Sequence, residues 1–348
     1  AKVARAFRRM PRMNSFAVHL FIDAWPNGWM KALMDCERTP KPAWFAYRDA
    51  LTPFCIQVET ERTAFYSEDS YPFRIWICND TPYKNDCRIF YQLESDGKVL
   101  DTGVAGAEVP DIEQAVAFQG YLPVKMPKVK KKTKVFLRAT IYDESRQSYV
   151  DEDVAEIWVY PRLQQKDKRI CVIGGNEDAN ALLRVLCPGG MKKASQISSA
   201  DEIVIAGSLT LQQYNEINEA VRNGAKALVL HAALQDGNMQ KRLGYELSKG
   251  NDSSWILCRN RSHEWVRDMD KRELFYVYSS LTDSPARFVF STFTASGFRS
   301  VLSNTDRMLV GEKSEGKGRW VLCGLALEGM LDANPPLAGI FYRMLQSN

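Results

Sequence analysis

Apolar and polar positions change rhythm twice along this chain. Up to about Thr52 the pattern is a basic helix-prone stretch, "AKVARAFRRM", and then a dense apolar run, "FAVHLFIDAW", of strand length. Pro26, Asn27 and Gly28 break that run, and "PKPAWFAYRDAL" follows with prolines where a helix start tolerates them. Helix, buried strand, loop and helix is the grammar of an α/β barrel or doubly wound sheet. About fifty residues cannot bury a core of that kind alone, so most of such a unit is expected elsewhere.

From Pro53 to about residue 162 the rhythm is alternation. "FRIWICN" puts Phe73, Ile75 and Ile77 on one face, and "RIFYQL", "KVFLRATIY" and "VAEIWVY" behave alike. Asn79-Asp80-Thr81-Pro82 and Ser95-Asp96-Gly97 read as turns between them. Short strands at this spacing predict an antiparallel β-sandwich of immunoglobulin size.

From 163 to 348 strands and helices alternate. "RICVIGG", "DEIVIAG" and "KALVLHA" read as strands, and "EDANALLRVL" and "LQQYNEINEAVRN" as helices. Thr210 and Gln213 have capping-box spacing, and Leu211, Tyr214, Ile217 and Val221 share one helix face. Gly224 stands where that helix should stop. The alternation predicts a parallel sheet with helices on both faces. "RMLVGEKSEGKGRWVLCGLAL" reads as a hairpin, and Asn334-Pro335 opens a closing helix, "PLAGIFYRMLQ". The chain thus divides into segments 1–52, 53–162 and 163–348, without an internal repeat.

Composition narrows the chemistry. Hydrophobic residues are 45% and charged residues 25%, an ordinary globular balance. Lys plus Arg is 46 against 42 for Asp plus Glu, too even to argue for nucleic acid. The apolar runs fall far short of the ~20 residues of a membrane span, so no membrane partner is expected. None of the eight cysteines forms a C-x-x-C pair and there are three histidines, so no metal site is expected. Cysteines in runs such as "WIC" and "WVLC" read as small buried hydrophobes, which favours a reducing, cytoplasmic setting. The five lysines of Lys128–Lys134 read as a solvated loop entering an edge strand. Gly174 and Gly175 follow a strand and precede a helix, but "GGNEDA" is not a phosphate-binding fingerprint and its Glu177 and Asp178 would repel phosphate. No cofactor is expected.

One stretch carries a more specific signal. In "FIDAWPNGWMKALMDCERTPKPAWFAYRDAL", Trp25-Pro26, Gly28-Trp29, Asp35, Arg38 and Pro40-Lys41-Pro42-Ala43 precede an aromatic helix. This resembles the end of the catalytic barrel of family 2 glycoside hydrolases, the β-galactosidase, β-glucuronidase and β-mannosidase group. "YPFRIWICND" and "EIWVYPR" resemble the immunoglobulin-like domain that follows that barrel. The resemblance covers about 160 residues and implies a (β/α)8 barrel end at 1–52 and an immunoglobulin-like sandwich at 53–162. The segment 163–348 resembles, less closely, flavodoxin-like or class I amidotransferase-like domains through "GKGRWVLCGLAL" and "NPPLAGIFYRML".

The resemblance implies a retaining β-glycosidase, whose two catalytic glutamates stand ~5–5.5 Å apart. In the family they lie on earlier barrel strands. Glu37, the one glutamate of the barrel segment, matches neither position, so no catalytic residue is expected in this chain. The expected substrate contacts are Trp25, at the end of what would be the eighth barrel strand, and Asp23 two residues before it. An indole face offers a platform to a sugar ring; Asp23 could accept from a hydroxyl or, more simply, form a structural ion pair. Trp29 reads as packing. The expected partners are a β-linked sugar, bound together with the rest of the barrel, and that barrel or a second copy of this chain against the exposed barrel edge. Ala1 is not an initiator Met, and a longer polypeptide is expected.

Two other classes remain open. One is a non-catalytic carbohydrate-binding or oligomerisation module. The other is an amidase-type enzyme in the last segment, which would need a nucleophile beside Gly174 or His231. Cys171 lies inside a strand and Cys187 precedes Pro188, so neither sits on a nucleophile elbow; His231 reads as a structural histidine.

Overall fold

The computed structural model describes residues 2–13, 15–26, 32–163, 168–187, 192–248, 256, 258–267, 269–275, 277–304 and 306–346. They form two compact units. The first comprises 1–60, 68–127 and 133–158; the second comprises 61–67, 128–132 and 159–348. Several sheets and few helices make this a multidomain α/β protein.

The first unit opens with helices α1 (Lys2–Arg8) and α2 (Pro42–Ala50), the latter with Pro42 in its first turn. Its strands are β1 (Phe54–Glu59), β3 (Ser70–Asn79), β4 (Cys87–Ser95), β5 (Lys98–Ala107), β6 (Val116–Lys125), β7 (Thr133–Asp143) and β8 (Ser148–Tyr160), which runs on into the second unit. The short β2 (Ala64–Tyr66) belongs to the second unit. Here β1-β3-β6 make one antiparallel sheet and β8-β7-β4-β5 a second. Alternation does the work the sequence predicts: Phe73, Ile75 and Ile77 are buried, as are Val135, Leu137, Ala139 and Ile141. Asp96 and Gly97 both take positive φ in the β4–β5 hairpin, the conformation a two-residue turn of that hand requires.

The free edge of β1 is satisfied by side chains. Asp151 accepts from the Ile56 N–H and Asp153 from the Val58 N–H, both at 2.9 Å. Carboxylates two residues apart on β8 match N–H groups two residues apart on β1, because both strands have a period of two. Asp153 also takes the Arg5 guanidinium at 2.7 Å, which fastens α1.

The apolar run before Trp25 predicts a strand, but residues 16–25 are irregular, joined to the rest by an isolated bridge between Ile22 and Met34. Leu20, Phe21 and Ile22 stay exposed. A strand needs neighbours for its N–H and C=O groups, and among the described residues this run has that bridge alone.

In the second unit β9 (Arg169–Ile173), β10 (Lys192–Lys193), β11 (Glu202–Ile205) and β12 (Lys226–Val229) are parallel, with helices α3 (Glu177–Leu186), α4 (Leu211–Arg222) and the shorter α5 (Gly237–Leu243) between or after them. The remaining elements are β13 (Tyr245–Leu247), β14 (Cys258–Arg259), β15 (Val277–Ser279), β16 (Ser284–Ala286), β17 (Phe293–Ala295), β18 (Arg299–Asn304), β19 (Arg307–Glu315), β20 (Gly318–Cys323) and α6 (Pro335–Gln346). The parallel strands lie in the order β10-β9-β11-β12-β20. Beyond β20 the sheet continues antiparallel through β19, so it is mixed rather than wholly parallel. Helices cover both faces. Leu228 and Val321 pack with α3 and α6, while Ala227, Val229 and Leu322 pack with α4. The capping box forms: the Gln213 N–H donates to Thr210 Oγ1 and the Thr210 N–H to Gln213 Oε1.

Candidate functional site

The residues of the N-terminal motif build a small scaffold around Asp23. Asp35 Oδ1 accepts from the Glu37 and Thr39 N–H groups at 2.9 and 2.8 Å. That turn carries Arg38 at a φ of +64°. Pro40 bridges back to Met34, the Lys41 N–H donates to Leu33 O, and Pro42 opens α2. The chain thereby brings Lys41 Nζ to 2.5 Å from Asp23 Oδ2. Asp23 is 5% exposed, and its other carboxylate oxygen is buried with no partner among the described residues. A buried carboxylate oxygen without a donor requires an explanation. Two residues on, Trp25 is 66% exposed. Gly28 and Trp29 lie outside the described residues.

A second concave surface lies on the outer face of β4, β5, β7 and β8. It encloses about 780 Å³ and is lined by Phe90, Gln92, Thr102, Arg138, Thr140 and Tyr149 among others. Tyr142 stands edge-on between Phe90 and Tyr149, with ring centroids 5.6 and 5.4 Å away. Arg138 is balanced by Glu94 at 3.2 Å and Glu152 at 2.6 Å, so the groove carries aromatic faces and paired charges. No motif in the sequence marks it. Its residues are the outward half of an alternation whose inward half is core, and nothing in the alternation distinguishes a binding face from a solvated one.

In the second unit the strand ends hold His231 and Gly174. His231 Nε2 lies 3.0 Å from Ser291 Oγ, and burial pushes the imidazole below its usual range, so it is neutral at pH 7. Asp178, at the start of α3, spends one oxygen on the Leu327 and Glu328 N–H groups. A groove of about 750 Å³ reaches Gly174, but its lining includes Gln213, Glu216 and Glu219, and its one thiol, Cys171, is pushed up by burial. Burial also pushes up the Cys187 thiol, and Cys323 reaches about 12. These are inert positions for a thiolate nucleophile. In the lysine run, Lys132 pairs with Glu273, and Lys134 with Glu156 at 2.9 Å. Among the described residues no group of His, Cys, Asp and Glu could hold a metal ion, and no helix is long and apolar enough to cross a membrane.

No protein-family model and no curated protein sequence matches the chain. Solved structures with partial likeness include several glycosidases and a superoxide reductase of Ignicoccus hospitalis, the latter 15% identical at a TM-score of 0.22 over 31% of this chain and 82% of that one. The exo-chitosanase CsxA of Amycolatopsis orientalis is 15% identical at a TM-score of 0.34, over 48% of this chain and 18% of that one. The β-galactosidase of Bacillus circulans sp. alkalophilus is 8% identical at 0.31, over 49% and 26%. The exo-β-1,4-mannosidase Op5Man5 of Opitutaceae bacterium strain TAV5 is 13% identical at 0.34, over 52% and 36%. The chain therefore spans well under two thirds of each of these glycosidases.

Proposed function

We propose that this chain is the C-terminal part of a retaining β-glycosidase of the family 2 type, contacting a β-linked sugar without itself breaking the bond. The observation that carries this reading is the pairing of an exposed indole at Trp25 with a buried carboxylate at Asp23 whose second oxygen has no partner among the described residues. The indole would stack on the apolar face of a sugar ring, and the orphan oxygen would take a hydroxyl donor. Lys41 Nζ, 2.5 Å from Asp23 Oδ2, holds the side chain in place with its other oxygen left to accept. The residues that fix Asp23 are those on which the family resemblance rests, which favours a shared scaffold. The catalytic glutamate pair would lie on barrel strands supplied elsewhere in the polypeptide. In this reading the first unit contains the immunoglobulin-like sandwich, and the second is a flavodoxin-like domain without chemistry of its own, an assignment supported by its β10-β9-β11-β12-β20 order. No cofactor takes part.

The test uses the whole chain. Titration with cellobiose, lactose, chitobiose and mannobiose is followed by tryptophan fluorescence, and p-nitrophenyl β-glycosides are assayed for release of nitrophenol. Saturable quenching by at least one disaccharide, weakened tenfold or more in Trp25→Ala, is the expected result, with no turnover. Affinity unchanged in Trp25→Ala overturns it.

The outer-sheet groove favours a second reading, a carbohydrate-binding module. Tyr149, 70% exposed, and Phe90 would form its platform and Gln92, Thr102 and Thr140 its hydrogen-bonding groups. Loss of binding in Tyr149→Ala, with Trp25→Ala unaffected, selects this reading over the first.

A further inference from the structure

Cys55 and Cys78 are direct partners across β1 and β3. Two observations set the kind of pair they make. The Asp80 N–H donates to Pro53 O across the same two strands at 2.9 Å. The Ile56 and Val58 N–H groups point the other way, to Asp151 and Asp153. Alternation along an antiparallel ladder then makes 55/78 a hydrogen-bonded pair, with Cα atoms about 5.5 Å apart. A disulfide spans Cα separations of about 4.4–6.8 Å. Both thiols are free, and they share one small buried cluster with Val116.

The surroundings divide the labour between them. Arg8 Nη1 lies 3.2 Å from Cys55 Sγ. Gln57 Nε2 lies 3.4 Å from Cys78 Sγ and 3.9 Å from Cys55 Sγ. A hydrogen bond from Cys78 and the Arg8 charge hold the Cys55 thiol below its usual range against the opposing effect of burial. Cys78, the donor, is pushed up by that same bond and by burial. Cys87, Cys171 and Cys323 have no cysteine as a register partner: Cys87 lies opposite Ala107 and Asp143, Cys171 opposite Ile203, and Cys323 opposite Val310.

We propose that Cys55 and Cys78 form a reversible dithiol–disulfide pair, oxidised by a peroxide with Cys55 as the attacking thiolate and Cys78 as the resolving thiol. The Cys55 thiolate attacks one oxygen of hydrogen peroxide, the O–O bond breaks, and hydroxide leaves, giving a Cys55 sulfenic acid. Cys78 sulfur then attacks the Cys55 sulfur. The S–O bond breaks, the hydroxyl leaves with the Cys78 proton as water, and the disulfide forms. A thiol reductant reopens it by exchange. On oxidation Arg8 loses the thiol it touches, while its hydrogen bonds to Ala50 O, Thr52 O, Pro53 O and Asp80 remain to hold α1.

The experiment treats the whole reduced chain with hydrogen peroxide, with and without dimedone, then blocks free thiols and maps peptides by mass spectrometry. The expected product without dimedone is a cross-link between the peptides carrying Cys55 and Cys78, reversed by dithiothreitol. With dimedone, the adduct forms on Cys55. Cys78→Ser accumulates the Cys55 adduct, Cys55→Ser leaves Cys78 a thiol, and Arg8→Gln slows Cys55 oxidation several-fold. Absence of the 55–78 cross-link from the oxidised wild-type chain overturns the proposal. So does a first adduct on Cys78. The wild-type time course decides both points even where a variant fails to fold.

Discussion

Asp151 shows how one side chain can serve structure and still oppose it. Its carboxylate satisfies the Ile56 N–H, yet burial raises its pKa from 3.8 to about 6, with the Ile56 and Glu152 N–H groups only partly offsetting the desolvation. The unfolded carboxyl loses its proton near 3.8 and the folded one near 6, so the folded state binds more protons in between. Its contribution is full below pH 3.8 and is lost as pH rises to 6. Asp151→Asn keeps an oxygen for the Ile56 N–H and removes the titration. The variant should be more stable than the wild-type chain at pH 8, by about 1 kcal/mol after discounting for solvent screening, with the gain shrinking toward pH 4. Urea unfolding at the two pH values measures this; a difference independent of pH contradicts it. None of this is legible from "SYVDEDVAEIWVY", where Asp151 and Asp153 read as polar positions of an alternating strand. Their role depends on a strand edge about 95 residues away. Gly316 and Gly318 make the same point: both read as turn glycines in "EGKGRW". Gly316 does take a φ of +61°, whereas a Cβ on Gly318 would meet Ala225 O at 2.1 Å, a close approach rather than a turn requirement.

At the scale of elements, sequence reading succeeds where the signal is local. The Thr210 capping box, the alternation of β3, β4 and β7, and the helix over "EDANALLRVL" depend on neighbours within a few positions, and they form where expected. Reading fails where pairing decides. The run "FAVHLFIDAW" has strand composition but no extended neighbour among the described residues, and β13 to β18 are short pieces ordered by the strands beside them. The start of β11 and β12 is a further case. Glu202 and Lys226 are register partners, 2% and 7% exposed, with Lys226 Nζ 3.6 Å from the carboxylate. Nζ also donates to Met344 O and Leu345 O, carbonyls in the last turn of α6. Burial holds the Glu202 carboxyl up near 8 even with the ammonium adjacent. Lys226→Met leaves that acid alone and α6 without its donor, and should cost about 3 kcal/mol. Adding Glu202→Leu should restore most of the loss, since an apolar pair of similar volume removes the desolvation penalty. A double-mutant cycle by urea denaturation reads both, and a double variant as unstable as the single one contradicts the argument.

At the scale of the molecule, each of the two units buries apolar side chains of its own. Ile77, Leu137 and Ile141 are buried in the first. In the second, one set of side chains packs between the sheet and α3 with α6, and another packs between the sheet and α4. The Asp151 and Lys226 substitutions therefore act on different cooperative blocks. Scanning calorimetry at pH 8 should resolve two transitions. Asp151→Asn should raise one by a few degrees, and Lys226→Met should lower the other by on the order of 10 °C, given the usual ~2–4 °C per kcal/mol for units of 150–250 residues. The proposed Trp25 site is carried by the first unit, so sugar binding should move the transition that responds to Asp151→Asn and leave the other in place, because a ligand stabilises only the block that binds it. One merged transition shifted by both variants and by sugar would show that the chain unfolds as a single block, and stability would then no longer report which unit holds the ligand.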